Sequence, residues 1–320
     1  MILATLLTAM IITGDAEPVS GVQLNAVESV FSDSEQLAGA DRVLPVANGL
    51  DDHRDWSALD TLELFAGLEG SKQPQDFGVN AHFGARIHAN CGVPISRELG
   101  LGLQIGTSLN ATDHAVRVTQ AVDGASSRNQ NFSTVGIFQR TSSGWVWAIV
   151  HDMLYQDDYD RVFLSQWRAR AGFQIGDFDQ LGVYGMAPQQ DDTAQWGPTN
   201  VRLRPLTQGS VYWRHTFEYG AQVTGWIGAA ESHGQANIAL GNDNPTGPRV
   251  VFGSDVHLPL SDHLAIFGEA NFVTPAATGT VDAYLGFAYY PGGNARLWRN
   301  RAFSPVLPVA NNTSFTTDLR

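Results

Sequence analysis

From Phe77 to Val93 the chain alternates without a break. Phe77, Val79, Ala81, Phe83, Ala85, Ile87, Ala89, Cys91 and Val93 form one face, and Gly78, Asn80, His82, Gly84, Arg86, His88, Asn90 and Gly92 form the other. A period of two is the signature of a β-strand with one apolar and one polar side. The run is far longer than the usual strand of about 5–6 residues. It matches what a tilted membrane crossing needs, about 9–11 residues plus its rims. The pattern predicts a transmembrane β-barrel with the odd residues facing lipid.

The alternation recurs after residue 60. Leu62, Leu64, Ala66 and Leu68 oppose Glu63, Phe65, Gly67 and Glu69, and Leu99, Leu101, Leu103, Ile105 and Leu109 oppose Gly100, Gly102, Gln104, Gly106 and Ser108. Similar segments centre on Trp167, Trp213, Ile227, Phe252, Ile266 and Leu285, with weaker ones at 131–140, 145–155 and 178–187. In 145–155 both faces are apolar. These segments predict an all-β, up-and-down antiparallel barrel of about twelve strands over 61–290, the even number typical of bacterial barrels. Short connections fall at 140–144, 176–179, 218–221 and 258–263. Longer polar ones fall at 70–76, 110–130, 155–161, 188–207, 231–249 and 273–280. That asymmetry predicts short periplasmic turns and long outer loops. Trp145, Trp147, Phe173, Phe217, Tyr219 and Tyr289 gather beside the short turns, where an interfacial girdle belongs.

Composition narrows the classes. Of 320 residues only 16% are charged, against an average of about 25%, which suits a surface facing lipid. A net charge of −13 argues against a nucleic-acid partner. The apolar run Met1–Ile12 is too short to span a bilayer and reads as a signal-peptide core, with Gly14-Asp15-Ala16 offering a cleavage site after residue 16. Residues 17–60 are then a periplasmic segment and 291–320 a tail.

No chemical motif stands out. Gly100-x-Gly102-x-x-x-Gly106 lies inside a strand rather than opening a helix, so it is no dinucleotide fingerprint. Its glycines are expected to line a crowded lumen. Asp157-Asp158-Tyr159-Asp160 and Asn242-Asp243-Asn244 have oxygen ligands for a divalent cation but read as solvated loops. No metal, cofactor or catalytic residue is assigned. A barrel enzyme is a lesser alternative: His151 and Asp152 are adjacent on one strand and face opposite sides, and Asp157 or Asp158 would reach His233 only if loops converged. A soluble all-β binding protein is another, disfavoured because Phe, Leu and Trp occupy the outward positions.

Several stretches carry a resemblance: Gly70–Asn80 (GSKQPQDFGVN), Gly100–Thr107 (GLGLQIGT), Phe138-Gln139-Arg140-Thr141, Tyr212–Thr216 (YWRHT), Phe267–Phe272 (FGEANF), Tyr290-Pro291-Gly292-Gly293 and Phe303–Asn311 (FSPVLPVAN). In these the chain resembles a bacterial outer-membrane-type β-barrel family with no assigned function. The resemblance implies a fold and the cell outer membrane, with membrane lipids as partners, but no reaction. Outer-membrane barrels commonly end at their last strand, whereas here about 30 residues follow Tyr290.

The charges expected inside are Glu63, Glu69, Arg86, Arg168, Arg170, Arg214, Asp255, Glu269 and Asp282. Sorted by strand they suggest a basic wall and an acidic wall, with Asp152 an exception on the basic side. The expectation is a narrow or plugged pore, or a structural envelope protein, passing at most small polar solutes or ions. One repeat remains: Val43-Leu44-Pro45-Val46-Ala47-Asn48 recurs as Val306-Leu307-Pro308-Val309-Ala310-Asn311. Because Pro removes a ladder donor, neither copy should form a central strand, and both are expected at the periplasmic rim or in the lumen as a plug.

Overall fold

In a computed structural model of the chain the described residues are 56–73, 81–114, 127–196, 198–232, 248–274, 280–293 and 295–319. The expected signal peptide, the segment 17–55, the Asn242–Asn244 loop and the first copy of the repeat lie outside them.

Twelve antiparallel strands close into a barrel. They are β1 (Leu62–Lys72), β2 (His82–Ser96), β3 (Leu101–His114), β4 (Ser127–Arg140), β5 (Trp145–Asp157), β6 (Arg161–Ile175), β7 (Asp179–Gln190), β10 (Gln208–Thr216), β11 (Gln222–Ala230), β12 (Arg249–Pro259), β13 (Leu264–Val273) and β14 (Thr280–Tyr289). Each pairs with the next, and β1 closes on β14 from Leu64↔Tyr289 to Lys72↔Val281, so no barrel edge is left unpaired. With an even count both ends of the barrel chain lie at the short-turn end. Several of those turns depend on glycine: Gly144 and Gly176, for instance, hold φ of +91° and +60°, conformations that cost little only without a Cβ.

The outward face is apolar almost all the way round. Every barrel strand but β13 exposes a large hydrophobic side chain, and β13 presents half-exposed Ile266 and Phe272. The girdle residues Trp145 and Phe173 pack tilted at 5.2 Å, and Phe217 and Tyr219 stack at 5.8 Å.

Several expectations need correction, among them the connection read at 110–130, whose ends belong to β3 and β4. The polar stretch 188–207 is not a loop, because β7 runs on to Gln190 and is followed by a hairpin of β8 (Asp192–Trp196) and β9 (Thr199–Pro205). Their strands are short and their pattern is broken by the Gly197-Pro198 pair, so periodicity alone passes over them. The connection read at 155–161 shrinks to residues 158–160, since Tyr155–Asp157 and Arg161 pair across the hairpin of β5 and β6. Leu99 belongs to the turn before β3 rather than to the strand.

The C-terminal tail does not hang from the barrel. It enters at the short-turn end and runs up the interior. Its last strand β15 (Thr317–Leu319) pairs with β9 at the other end, from Thr317↔Pro205 to Leu319↔Leu203.

Candidate functional site

The lumen is the natural place to look for function, and the tail fills it in three layers. At the short-turn end Tyr290, Ala295 and Trp298 pack with Phe65, Ala265, Phe267, Tyr284 and Ala288 in one buried cluster. Higher up, Val306 and Leu307 pack against Phe138, Val146, Ala148 and Val150. At the far end Ala310, Phe315 and Leu319 join Phe132, Leu154, Val162 and Leu164 of the wall with Ala194, Val201 and Leu203 of the hairpin. These inward apolar positions explain why both faces of 145–155 are apolar: one meets the outside, the other meets the tail.

The second copy of the repeat is part of this tail and forms no strand, with Val309, Ala310 and Asn311 fully buried. A tail without a ladder must satisfy its backbone otherwise. Amide side chains of the wall do this. Gln104 accepts from Leu307 N at 3.3 Å and donates to Leu307 O at 2.6 Å, and Asn90 donates to the same oxygen at 3.2 Å. Thr134 accepts from Ala310 N at 2.9 Å, and Gln166 donates to Ser314 O at 2.7 Å. Gln73 donates to Asn312 O at 3.2 Å and accepts from Thr317 N at 3.0 Å. Asn312 and Gln130 exchange amide bonds at 2.9 and 3.0 Å. Glycines make the room. A Cβ on Gly106 would lie 2.5 Å from Val309, and one on Gly92 would collide with the Phe303 carbonyl.

The nine charges read from the sequence are all buried. Arg168, Arg170 and Arg214 lie on β6 and β10, and Asp255, Glu269 and Asp282 on β12, β13 and β14, as sorted from the sequence, but several are paired locally. Arg168 approaches Asp152 of the neighbouring strand with Nε at 2.8 Å, and its Nη2 donates to Pro308 O at 2.8 Å. Arg86 lies 3.8 Å from Glu69, which also accepts from both Asn110 and Asn312. Glu63 meets His88 at 3.0 Å and accepts from Tyr290 at 2.9 Å. Asp255 pairs with Arg299 of the tail at 2.5 Å. Glu269 accepts from Thr313 of the tail and Asp282 from Gln73. Arg170 sits 3.8 Å above the Tyr212 ring, and Arg214 donates to Thr224. Arg168, Arg86 and Asp255 have local ion pairs, while Arg170, Arg214 and Glu269 rest on neutral groups.

One narrow space lies beside the repeat. Between Leu307–Pro308 and the wall residues Arg170, Tyr184, Tyr212 and Trp226 lies a crevice of about 30 Å³, room for about two waters. In the sequence Asp152 reads as an exception on the basic side without its partner Arg168, and the tail-binding amides Asn90, Gln104, Gln130 and Gln166 are not singled out. Their signal is their repeated place on inward strand positions.

His151 and Asp152 are not brought together. His151 faces outward, 3.0 Å from Gln189 and tilted against Trp167, while Asp152 faces inward to Arg168 and Thr134. His233 lies outside the described residues, among which no cluster of metal-ligating side chains occurs. Asp160 is structural. It accepts from Gln195 N at 2.7 Å and Arg161 N at 2.8 Å, tying the turn to the hairpin. The Gln195 and Arg161 amides hold its carboxyl below the usual carboxylate range. A depressed folded pKa stabilises above the unfolded value of about 3.9 and loses this as pH falls through the folded value. The Gln195 amide should therefore exchange faster with solvent once the pH falls through that depressed value, and Asp160→Asn should abolish that pH step. An unchanged step in the variant would mean the tie lies elsewhere.

Solved structures of similar shape are membrane β-barrels. The β domain of the Bordetella autotransporter BrkA aligns at 12% identity over 72% of this chain and 100% of its own, with a TM-score of 0.41. The translocator domain of the autotransporter NalP from Neisseria meningitidis aligns at 12% identity over 83% and 96%, TM-score 0.41. Outer membrane phospholipase A from Escherichia coli aligns at 8% identity over 78% and 98%, TM-score 0.40. No curated protein sequence matches the chain. One protein-family profile spans residues 61–317, from the start of β1 to the first residue of β15, and by that match the chain belongs to the family of unknown function DUF6666.

Proposed function

We propose that the protein is an outer-membrane β-barrel that carries its own plug, a closed conduit or envelope element rather than an open pore or an enzyme. The outward belt is the observation that carries the membrane part. Ile227 and Leu285 are each 59% exposed, and similar side chains ring the barrel. Soluble monomers rarely expose contiguous apolar patches beyond a few hundred Å². The strands are 9–15 residues long, enough to cross a bilayer at a tilt. Aromatic residues gather at the short-turn rim, the place of an interfacial belt. The buried charges and the tail support the closed state.

The chain should fold into lipid vesicles or detergent and aggregate without them. Ile87→Arg, in the middle of the belt on β2, should lower folded stability in vesicles by about 2–4 kcal/mol. Ser143→Arg, in a short turn, should change it by less than about 0.5 kcal/mol. Urea unfolding in vesicles reads both. A soluble, folded monomer in plain buffer would overturn the membrane assignment.

A further inference from the structure

We propose that the lumen groove holding Val306–Asn311 has a second ligand in the same chain, the identical hexapeptide Val43–Asn48, which takes the groove when the tail withdraws. This rests on the tail being the plug.

The groove recognises groups that both copies own. Gln104 and Asn90 read the backbone of Leu307, Arg168 reads the carbonyl of Pro308, and Thr134 reads the amide of Ala310. Gly106 admits the side chain of Val309, and Phe138, Val146, Ala148 and Val150 hold Val306 and Leu307. Leu44, Pro45, Ala47, Val46 and Val43 present the same atoms in the same order. Six consecutive identities that include the proline therefore make the two segments equivalent ligands at these positions.

The flanks decide which one rests there. Beyond the hexapeptide the tail adds Asn312, bonded to Gln130 and Glu69, and Phe315, buried against Phe132. The first copy continues with Gly49 and Leu50, which offer neither the amide nor the ring. The tail is the stronger occupant and the first copy the reserve. Length permits the exchange. From Asn48 to Trp56 the chain spans eight residues, a reach of about 26 Å when extended. The groove's upper end lies level with Glu69, seven residues up β1 from Leu62, about 23 Å along the strand. A reserve occupant keeps the wall amides and Arg168 partnered while the tail is out.

The test uses the full-length chain with the photocrosslinker p-benzoylphenylalanine in place of Tyr184, which packs against Val306 and Leu307. Unaltered elsewhere, it should capture the 306–311 peptide. With Asn312→Ala and Phe315→Asp added, which weaken only the flanks of the tail, the main product should shift to a peptide containing 43–48. Adding Leu44→Asp should abolish that product. A synthetic peptide of residues 41–50 in excess should reduce tail capture in the otherwise unaltered protein, and a scrambled one should not, which keeps the proposal testable where the double variant fails to fold. Failure to capture the tail in the parent would refute the plug itself. Tail capture without any 43–48 product, or without competition by the peptide, would refute only the reserve occupant.

Discussion

Asp152→Ala should lower the stability of the folded barrel by about 3–5 kcal/mol, because it leaves Arg168 as an uncompensated buried charge. Asp152 and Arg168 side chains are both fully buried. Asp152 also accepts from Thr134 at 2.8 Å and Gln166 at 3.3 Å, so its loss strips three donors at once. Arg168 holds the tail through Pro308 O, so the damage should reach the plug. Replacing both partners, Asp152→Leu with Arg168→Met, should recover most of the loss, since an apolar pair of similar volume avoids the desolvation cost. The midpoint of urea unfolding in vesicles measures this, provided the slope is unchanged. A loss below about 1 kcal/mol for Asp152→Ala would match an exposed pair and contradict the sealed interior.

Phe315→Ala should free the tail without opening the barrel wall. Phe315 is fully buried in the cluster that joins the tail to β4–β6 and to the hairpin of β8 and β9, with its ring 5.9 Å from that of Phe132. Truncating a buried Phe costs about 3–5 kcal/mol. Here that cost falls on tail docking, since the twelve barrel strands keep their ladders. At about 1.4 kcal/mol per power of ten, the undocked fraction should rise by roughly two to three and a half powers of ten. Amide exchange in 303–319 should accelerate by that factor, while β2 and β3 remain protected. Equal protection of the tail in both proteins would show that something other than this cluster anchors it.

The contrast between wall and tail shows what a sequence makes legible. Phe83, Ile87 and Leu109 against Arg86, His88 and Asn110 carry a period of two because each strand has one partner medium per face, and that period reveals the barrel. Residues 303–316 have no period. They are surrounded on all sides, so each position takes whatever the facing wall residue demands. Traces of the tail were nonetheless present in the wall. Val146, Ala148 and Val150 are apolar where water or charge was expected, and Gly92 and Gly106 are empty where side chains would fill a lumen. Together with the repeated hexapeptide they mark the track of a second chain segment. The charges were legible as inward, but pairing was not. Glu69 and Arg86 are separated by 17 positions in sequence, yet β1 and β2 set them side by side. The catalytic alternative had little to show in sequence, and the opposite facing of His151 and Asp152 follows from the strand period alone.

Single-channel recording in a planar bilayer tests the self-plugged barrel most directly. The full-length protein should hold current near baseline, because its tail packs against the wall in three buried clusters along the lumen. A chain lacking residues 303–320 should conduct in long, stable openings. Gly92→Leu in the full-length chain should do so too, since its side chain takes the space of the Phe303 carbonyl. Steady conductance from the unaltered protein, or silence from both folded variants, would contradict a lumen closed by its own C-terminal tail.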